Sequence, residues 1–334
     1  MASRHRFGCA FAHYRSVPLV LSQLAALAIA IAATVVLSCS VAAAHGIAGN
    51  RLFPGTLSFD DPAVSDEFAL TPAWVNKRAA DGSAVTDDGV SWEFMRLLVP
   101  NLALVVNSGF IHRDWWQLQR NGFDTTTVSL KDLLYESDPH EVLLSAELSW
   151  GIGGSGAAGV GAAEPNTFQP AFYFGKGFGD LPDRLGWLQP FAFTGEFALE
   201  IPTVRRSTLL GINSAGSALI PMPSQNVPIL HWDFSIQYST YYLTPRFTGS
   251  PPKQEPLNQF VPLVEFAFDS PRGRETIANM SPGVAYAATT WQFAVEAVLP
   301  LNAGSGHGVG VRAQLLLFLD DLAPSLFGKP LFSR

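Results

Sequence analysis

Between Phe191 and Ile201 the chain reads FAFTGEFALEI, in which Phe191, Phe193, Gly195, Phe197, Leu199 and Ile201 alternate with Ala192, Thr194, Glu196, Ala198 and Glu200. A two-residue period means a strand with one apolar and one polar face, because successive side chains of an extended chain point to opposite sides. The same period recurs along the chain. In ILHWDFSIQYSTYY, Leu230, Trp232, Phe234, Ile236, Tyr238 and Tyr242 oppose His231, Asp233, Ser235, Gln237 and Ser239. WQFAVEAVLPL, GVGVRAQLLLFLD, FVPLVEFAFD and EVLLSAELSWGI behave alike, and no helical period competes with them. The pattern predicts about twelve strands, near 66–75, 90–98, 102–112, 124–136, 141–152, 167–176, 187–202, 228–243, 258–269, 278–288, 290–301 and 308–320.

Alternation alone does not say which face meets solvent, but the polar face does. It carries mostly Ala, Ser, Gly, Thr and Gln, with isolated charges such as Glu147, Glu196, Asp233, Glu265, Glu296 and Arg312. Small residues suit the crowded interior of a curved sheet. Many of the strands run ten residues or more, matched to the roughly nine to eleven that a tilted membrane strand needs. Trp74, Trp92, Trp150, Trp187, Tyr241, Tyr242 and Trp291 fall near strand ends, as an interfacial girdle requires. Charged residues make up only 15% of the chain, against roughly 25% in soluble proteins. The expectation is therefore an all-β fold, a single closed antiparallel transmembrane β-barrel. Phe191, Phe193, Phe197 and Ile201 face lipid, and Glu196 and Glu200 face the lumen. Closure also removes the unpaired edges that hydrocarbon does not tolerate. The rival from another class is a soluble periplasmic β-barrel that binds a small ligand or copper.

Residues 1–44 read as a cleaved signal peptide. Arg4, Arg6 and Arg15 precede the apolar run PLVLSQLAALAIAIAATVVL, and SVAAAH supplies a small-x-small cleavage site at Ala42 and Ala44. Two alternatives stay open: a retained anchor, and lipoprotein processing at Cys39 through the imperfect box VLSC. Cleavage removes both cysteines, Cys9 and Cys39, which excludes a disulfide framework and a cysteine nucleophile. It also leaves 18 of the 21 basic residues against 28 acidic ones, a net charge of −10, which excludes nucleic acid as a partner.

Residues 45–65 form an irregular lead-in or plug, 66–322 the barrel and 323–334 a C-terminal tail. Short turns at Pro100-Asn101 and Asp138-Pro139 alternate with longer loops around 76–89, 113–122, 153–166 and 203–226. That asymmetry is the outer-membrane arrangement, with both barrel ends on the periplasmic side. The links at 177–186 and 244–257 are longer than this parity asks. The apolar loop over 203–226 is a candidate for folding inward.

YESDPHEVLLSAELSWGIGGSG (135–156) and QPAFYFGKGFGDLP (169–182) resemble segments of a bacterial family of outer-membrane transporters associated with phenol meta-cleavage pathways. The opening HGIAGNRLFPGTLSFDDPAVSDEF resembles the mature start of related exported barrels. The resemblance spans about half the chain on structural motifs. It implies an outer-membrane barrel passing small aromatic or apolar molecules, and it carries over no binding residue.

Catalytic chemistry finds little support, and the chain is not expected to be an enzyme. GIGGSG (Gly151 to Gly156) matches a dinucleotide fingerprint but lacks the helix that motif needs, so it reads as a flexible loop. A cleaved N-terminal His45 would offer an amine and an imidazole to copper, yet His112, His140, His231 and His307 are not spaced as its partners. No cofactor is expected. The candidate site is the lumen wall, with Glu147, Glu196, Glu200, Asp233, Glu265, Asp269 and Glu296 against Arg312. A negative lining favours cations at a constriction. Equally, pairing with arginine would make the same carboxylates struts of the wall. The expected partners are a lipid bilayer and small-molecule or ionic solutes, and homo-oligomer formation stays open.

Overall fold

In the computed structural model, described over residues 46–115, 117–162, 164–243, 256–306 and 308–332, the two-residue period becomes a closed sheet. In chain order the strands are β1 (Ile47–Ala48), β2 (Arg51–Leu52), β3 (Glu67–Arg78), β4 (Ala84–Val99), β5 (Leu102–Asp114), β6 (Gln119–Phe123), β7 (Thr126–Ser137), β8 (Val142–Ile152) and β9 (Thr167–Gly177). They continue as β10 (Phe191–Pro202), β11 (Arg206–Ile212), β12 (Leu219–Gln225), β13 (Ile229–Tyr238), β14 (Gln259–Pro271), β15 (Ile277–Ala287), β16 (Trp291–Pro300) and β17 (Gly310–Phe318). A one-turn helix, α1 (Leu319–Leu322), follows β17.

Twelve of these strands, β3, β4, β5, β7, β8, β9, β10, β13, β14, β15, β16 and β17, pair antiparallel in sequence order. β17 returns to β3, with Val311 opposite Trp74 and Phe318 opposite Glu67, and this pairing closes the barrel. The strands expected from the sequence are these twelve. β10 starts four residues later than expected because Asp183–Leu188 forms a 3-10 turn, and β13 ends at Tyr238 before a second such turn at Thr240–Leu243. Three ladders lose pairing where a proline lacks its donor: β17–β3 at Pro72, β9–β10 at Pro170 and β15–β16 at Pro282.

The faces are inverted relative to a soluble protein. On β10, Phe197 is 55% exposed while its neighbour Glu196 is 6% exposed. Phe174, Phe193, Phe234 and Phe266 form a contiguous aromatic band across the outside of β9, β10, β13 and β14, with centroid separations of 5.7, 5.5 and 4.8 Å. Trp74, Trp150 and Trp187 are exposed as a girdle requires. Tyr241 and Tyr242 depart from that expectation: Tyr241 is buried, and the Tyr242 hydroxyl finds its partner in Glu141 within the protein.

The near end of the barrel is where β3 begins and β17 finishes; the far end is opposite. The lead-in enters at the near end, rises to mid-lumen around Leu57–Asp61 and returns to start β3. Its apolar residues pack on apolar patches of the inner wall. Ala48 and Phe53 join Leu143 and Ala192, Leu52 joins Leu257 and Ala287, and Leu57 lies against Leu263, Ala285 and Ala294. The near half of the lumen is thus filled by the chain's own core. At the same end Arg96 holds Asp66 and donates to the carbonyls of Leu326, Phe327 and Lys329, which fastens the tail.

Hairpin β11–β12 leaves the far end between β10 and β13. The Ile212 amide donates to Asp81 at 2.7 Å in the turn between β3 and β4, half the circumference away in strand order. The hairpin therefore crosses the far mouth.

Candidate functional site

The lead-in is held at three levels, each by charged or amide side chains that sit on inward positions or turns. At the near end, Arg51 is 1% exposed at its side chain and donates to Glu141 Oε2 at 3.3 Å and to the Pro190 carbonyl at 2.9 Å. Glu141 also accepts from the Gly179 amide at 2.9 Å. Glycine is required here. Gly49 has φ +59°, and a Cβ on it would lie 2.3 Å from the Asp138 carbonyl oxygen. A Cβ on Gly177 would lie 2.2 Å from Glu141 Oε2 and 2.6 Å from Arg51 Nε. The three sequence segments that carry the family resemblance therefore meet at one clasp.

At mid-lumen Glu265, fully buried, accepts from the Leu57 and Ser58 amides at 3.0 and 2.7 Å. Arg312 donates to the Leu57 carbonyl at 2.6 Å, to Ser58 Oγ at 3.1 Å and to Glu296 at 3.0 Å. Gln292 brackets Gly55, donating to its carbonyl at 3.0 Å and accepting from its amide at 3.2 Å. Across the lumen Lys131, fully buried, donates to Asp60 at 2.5 Å and to the Asp61 carbonyl at 2.6 Å, with its ammonium 4.8 Å from the Tyr173 ring centroid. Lysine tolerates this position because carboxylates surround it.

On the far side of the lead-in's turn lies a cavity of about 280 Å³, bounded by Ser58, Glu196, His231, Asp233, Asp269 and Arg312 among others. Glu196 and Asp233 are register partners on β10 and β13, so their side chains emerge side by side. Asp233 accepts from the Phe268 amide at 2.7 Å, and Asp269 accepts from His231 Nδ1 at 2.6 Å. Glu200 stands 3.8 Å from His231 Nε2.

Of the residues expected to line the lumen, Glu196, Asp233, Asp269 and Arg312 bound this one cavity, and Glu200 adjoins it through His231. Glu265 and Glu296 are instead occupied with the lead-in and with Arg312. Glu147 accepts from Ser149 at 2.6 Å on the wall toward Lys131. Some of these carboxylates thus border the cavity and others bond the lead-in or Arg312. Arg51, Asp60, Lys131 and Glu141 did not stand out in the sequence. The signal for Arg51 and Glu141 lay in the resembling segments; Lys131 beside Asp132 in β7 gave none.

Among the described residues no group of three or more His, Cys, Asp or Glu is arranged to hold a metal ion. His45 lies outside the described residues, His112 bonds Asn121, and His140 is an exposed neighbour of Asp180 at 3.3 Å. GIGGSG runs from the end of β8 into a turn, and β9 pairs antiparallel with β8, which is not the parallel unit a dinucleotide needs.

Among solved structures the chain is similar to an outer-membrane channel from Pseudomonas putida F1, at 10% identity over 80% of this chain and 99% of that one, with a TM-score of 0.51. It is also similar to the KdgM porin, at 8% identity over 75% and 98% with a TM-score of 0.42. A third is the β domain of the Bordetella autotransporter BrkA, at 10% identity over 76% and 99% with a TM-score of 0.44. No family profile matches the sequence, and no curated protein matches it. The first likeness places the fold among outer-membrane β-barrels.

Proposed function

We propose that the chain is a passive channel of the bacterial outer membrane that passes small polar solutes, cations in preference to anions, without a chemical step. The observation that supports this most is the polar, carboxylate-rich lumen cavity enclosed by a wall whose outside is aromatic and aliphatic. A surplus of fixed negative charge at a narrow point favours cation entry. In this reading residues 1–44 direct export, the near end is periplasmic, the lead-in is a plug, and hairpin β11–β12 narrows the outer mouth. The resemblance to the phenol-pathway transporter family points to aromatic or apolar cargo as the second reading. Ser58, Gln169, Asn279 and Ser281 around the cavity favour the polar one. A soluble periplasmic binding protein would leave the aromatic band in water, at a cost that scales with its apolar area.

The test is a reversal-potential measurement on the full chain in a planar bilayer under a potassium chloride gradient. A potential near the potassium equilibrium value, reduced by Glu196→Gln with Asp233→Asn, supports the reading. A potential near the chloride value contradicts it. Deleting residues 46–60 tests the plug, and unchanged conductance would refute it.

A further inference from the structure

We infer that the far-side cavity is a binding site for the ammonium head of a small organic cation, seated between Glu196 and Asp233. The inference rests on the channel reading for its physiological meaning but on the cavity alone for its chemistry. Glu196 is nine-tenths buried, borders the cavity and receives no hydrogen bond from any described residue. A buried carboxylate without a donor is costly, and such groups in native proteins are ordinarily paired. The group beside it does not help: Asp233 is another carboxylate, already turned toward the Phe268 amide.

The two cations at the cavity are committed elsewhere. Arg312 is bonded to Glu296 and to the lead-in, and His231 is held by Asp269. His231 Nε2 is buried and has no hydrogen-bond partner, with Glu200 beyond bonding distance at 3.8 Å. The charge left over at the Glu196–Asp233 end is therefore negative. An ammonium, with three donors and a compact charge, satisfies both carboxylates at once. A metal ion is a poorer match, because no metal-competent cluster occurs among the described residues.

Size and lining complete the class. About 280 Å³ is far more than the roughly 30 Å³ share of one water, so the cavity accepts a molecule of several heavy atoms. Beyond the carboxylates, Gln169, Asn279, Ser281 and Ser58 offer neutral donors and acceptors to its remainder. The ligand is thus a small hydrophilic amine and not an apolar one.

Saturation-transfer NMR on the full-length protein in deuterated detergent tests this, with ethylammonium as probe and ethanol and acetate as neutral and anionic controls. Ethylammonium is expected to give a saturable signal that ethanol and acetate do not displace. Glu196→Gln is expected to weaken it about tenfold, while Asp183→Asn in the near-end turn leaves it unchanged. Heat-modifiable migration of each variant verifies folding. Equal affinity in Glu196→Gln, displacement by ethanol, or no saturable signal overturns the site. Conductance is read separately: binding without current refutes the channel and keeps the site, and current without binding does the reverse.

Discussion

Arg51 and Glu141, 90 residues apart in sequence, lie 3.3 Å apart at the near end of the barrel, both with nearly all of their side chains out of solvent. One belongs to the lead-in and the other to the turn between β7 and β8. The contact ties the segment that fills the lumen to the wall that encloses it.

Arg51→Ala leaves Glu141 buried beside the Tyr242 hydroxyl without its cation. Breaking a buried pair in this way costs about 3–5 kcal/mol. The urea midpoint for unfolding from micelles should fall accordingly, and protease cleavage within 46–60 should appear. Gly177→Ala should reproduce the cleavage, because its Cβ would displace the same two side chains.

Glu265 secures the turn of the lead-in through two backbone amides. Glu265→Ala removes both acceptor bonds, each worth about 1.5–3 kcal/mol when the acceptor is charged. Amide exchange at Leu57 and Ser58 should accelerate while exchange in β14 stays slow. Equal protection at Leu57 and Ser58 in the variant would exclude the latch.

The far hairpin has its own pH dependence. Partial burial pushes the Asp81 carboxyl up, but hydrogen bonds from the Ser83 hydroxyl and amide and from the Ile212 amide outweigh it and hold the group below its ordinary value. A folded-state pKa below the unfolded one stabilises above the unfolded value of 3.8 and loses that stabilisation as pH falls through the folded one. Exchange protection in β11 and β12 should be constant at neutral pH and drop only in strong acid. Asp81→Asn should weaken it at neutral pH and abolish the drop in strong acid.

The twelve wall strands were legible because lipid imposes a two-residue period that even Pro72, Pro170 and Pro282 do not erase. The inward charges followed from the same parity: once Phe197 is outside, Glu196 is inside. Hairpin β11–β12 was not legible, since Pro221 and Pro223 in β12 and the Asn213–Ser217 turn mask its alternation. The path of the lead-in was hidden for a different reason. Its partners, such as Gln292 for Gly55 and Arg312 for Leu57, are 237 and 255 residues away. A local period carries no information about them.

Facing can be tested by substitution on β10. Phe197 stands in the middle of the strand on its outer side, and Phe197→Arg should destabilise the inserted barrel by about 2–4 kcal/mol. Phe193, third in the strand, lies nearer the near end, so Phe193→Arg should cost less. Refolding into vesicles of increasing urea concentration measures both.

The inverted faces are tested most directly by fluorescence quenching at Trp74, outward and 48% exposed on β3, with the other seven of the eight tryptophans replaced by phenylalanine. In reconstituted vesicles, lipids brominated along their acyl chains should quench Trp74 strongly and aqueous acrylamide should not. Strong quenching by acrylamide, with none from the brominated lipid, would contradict a bilayer around this barrel.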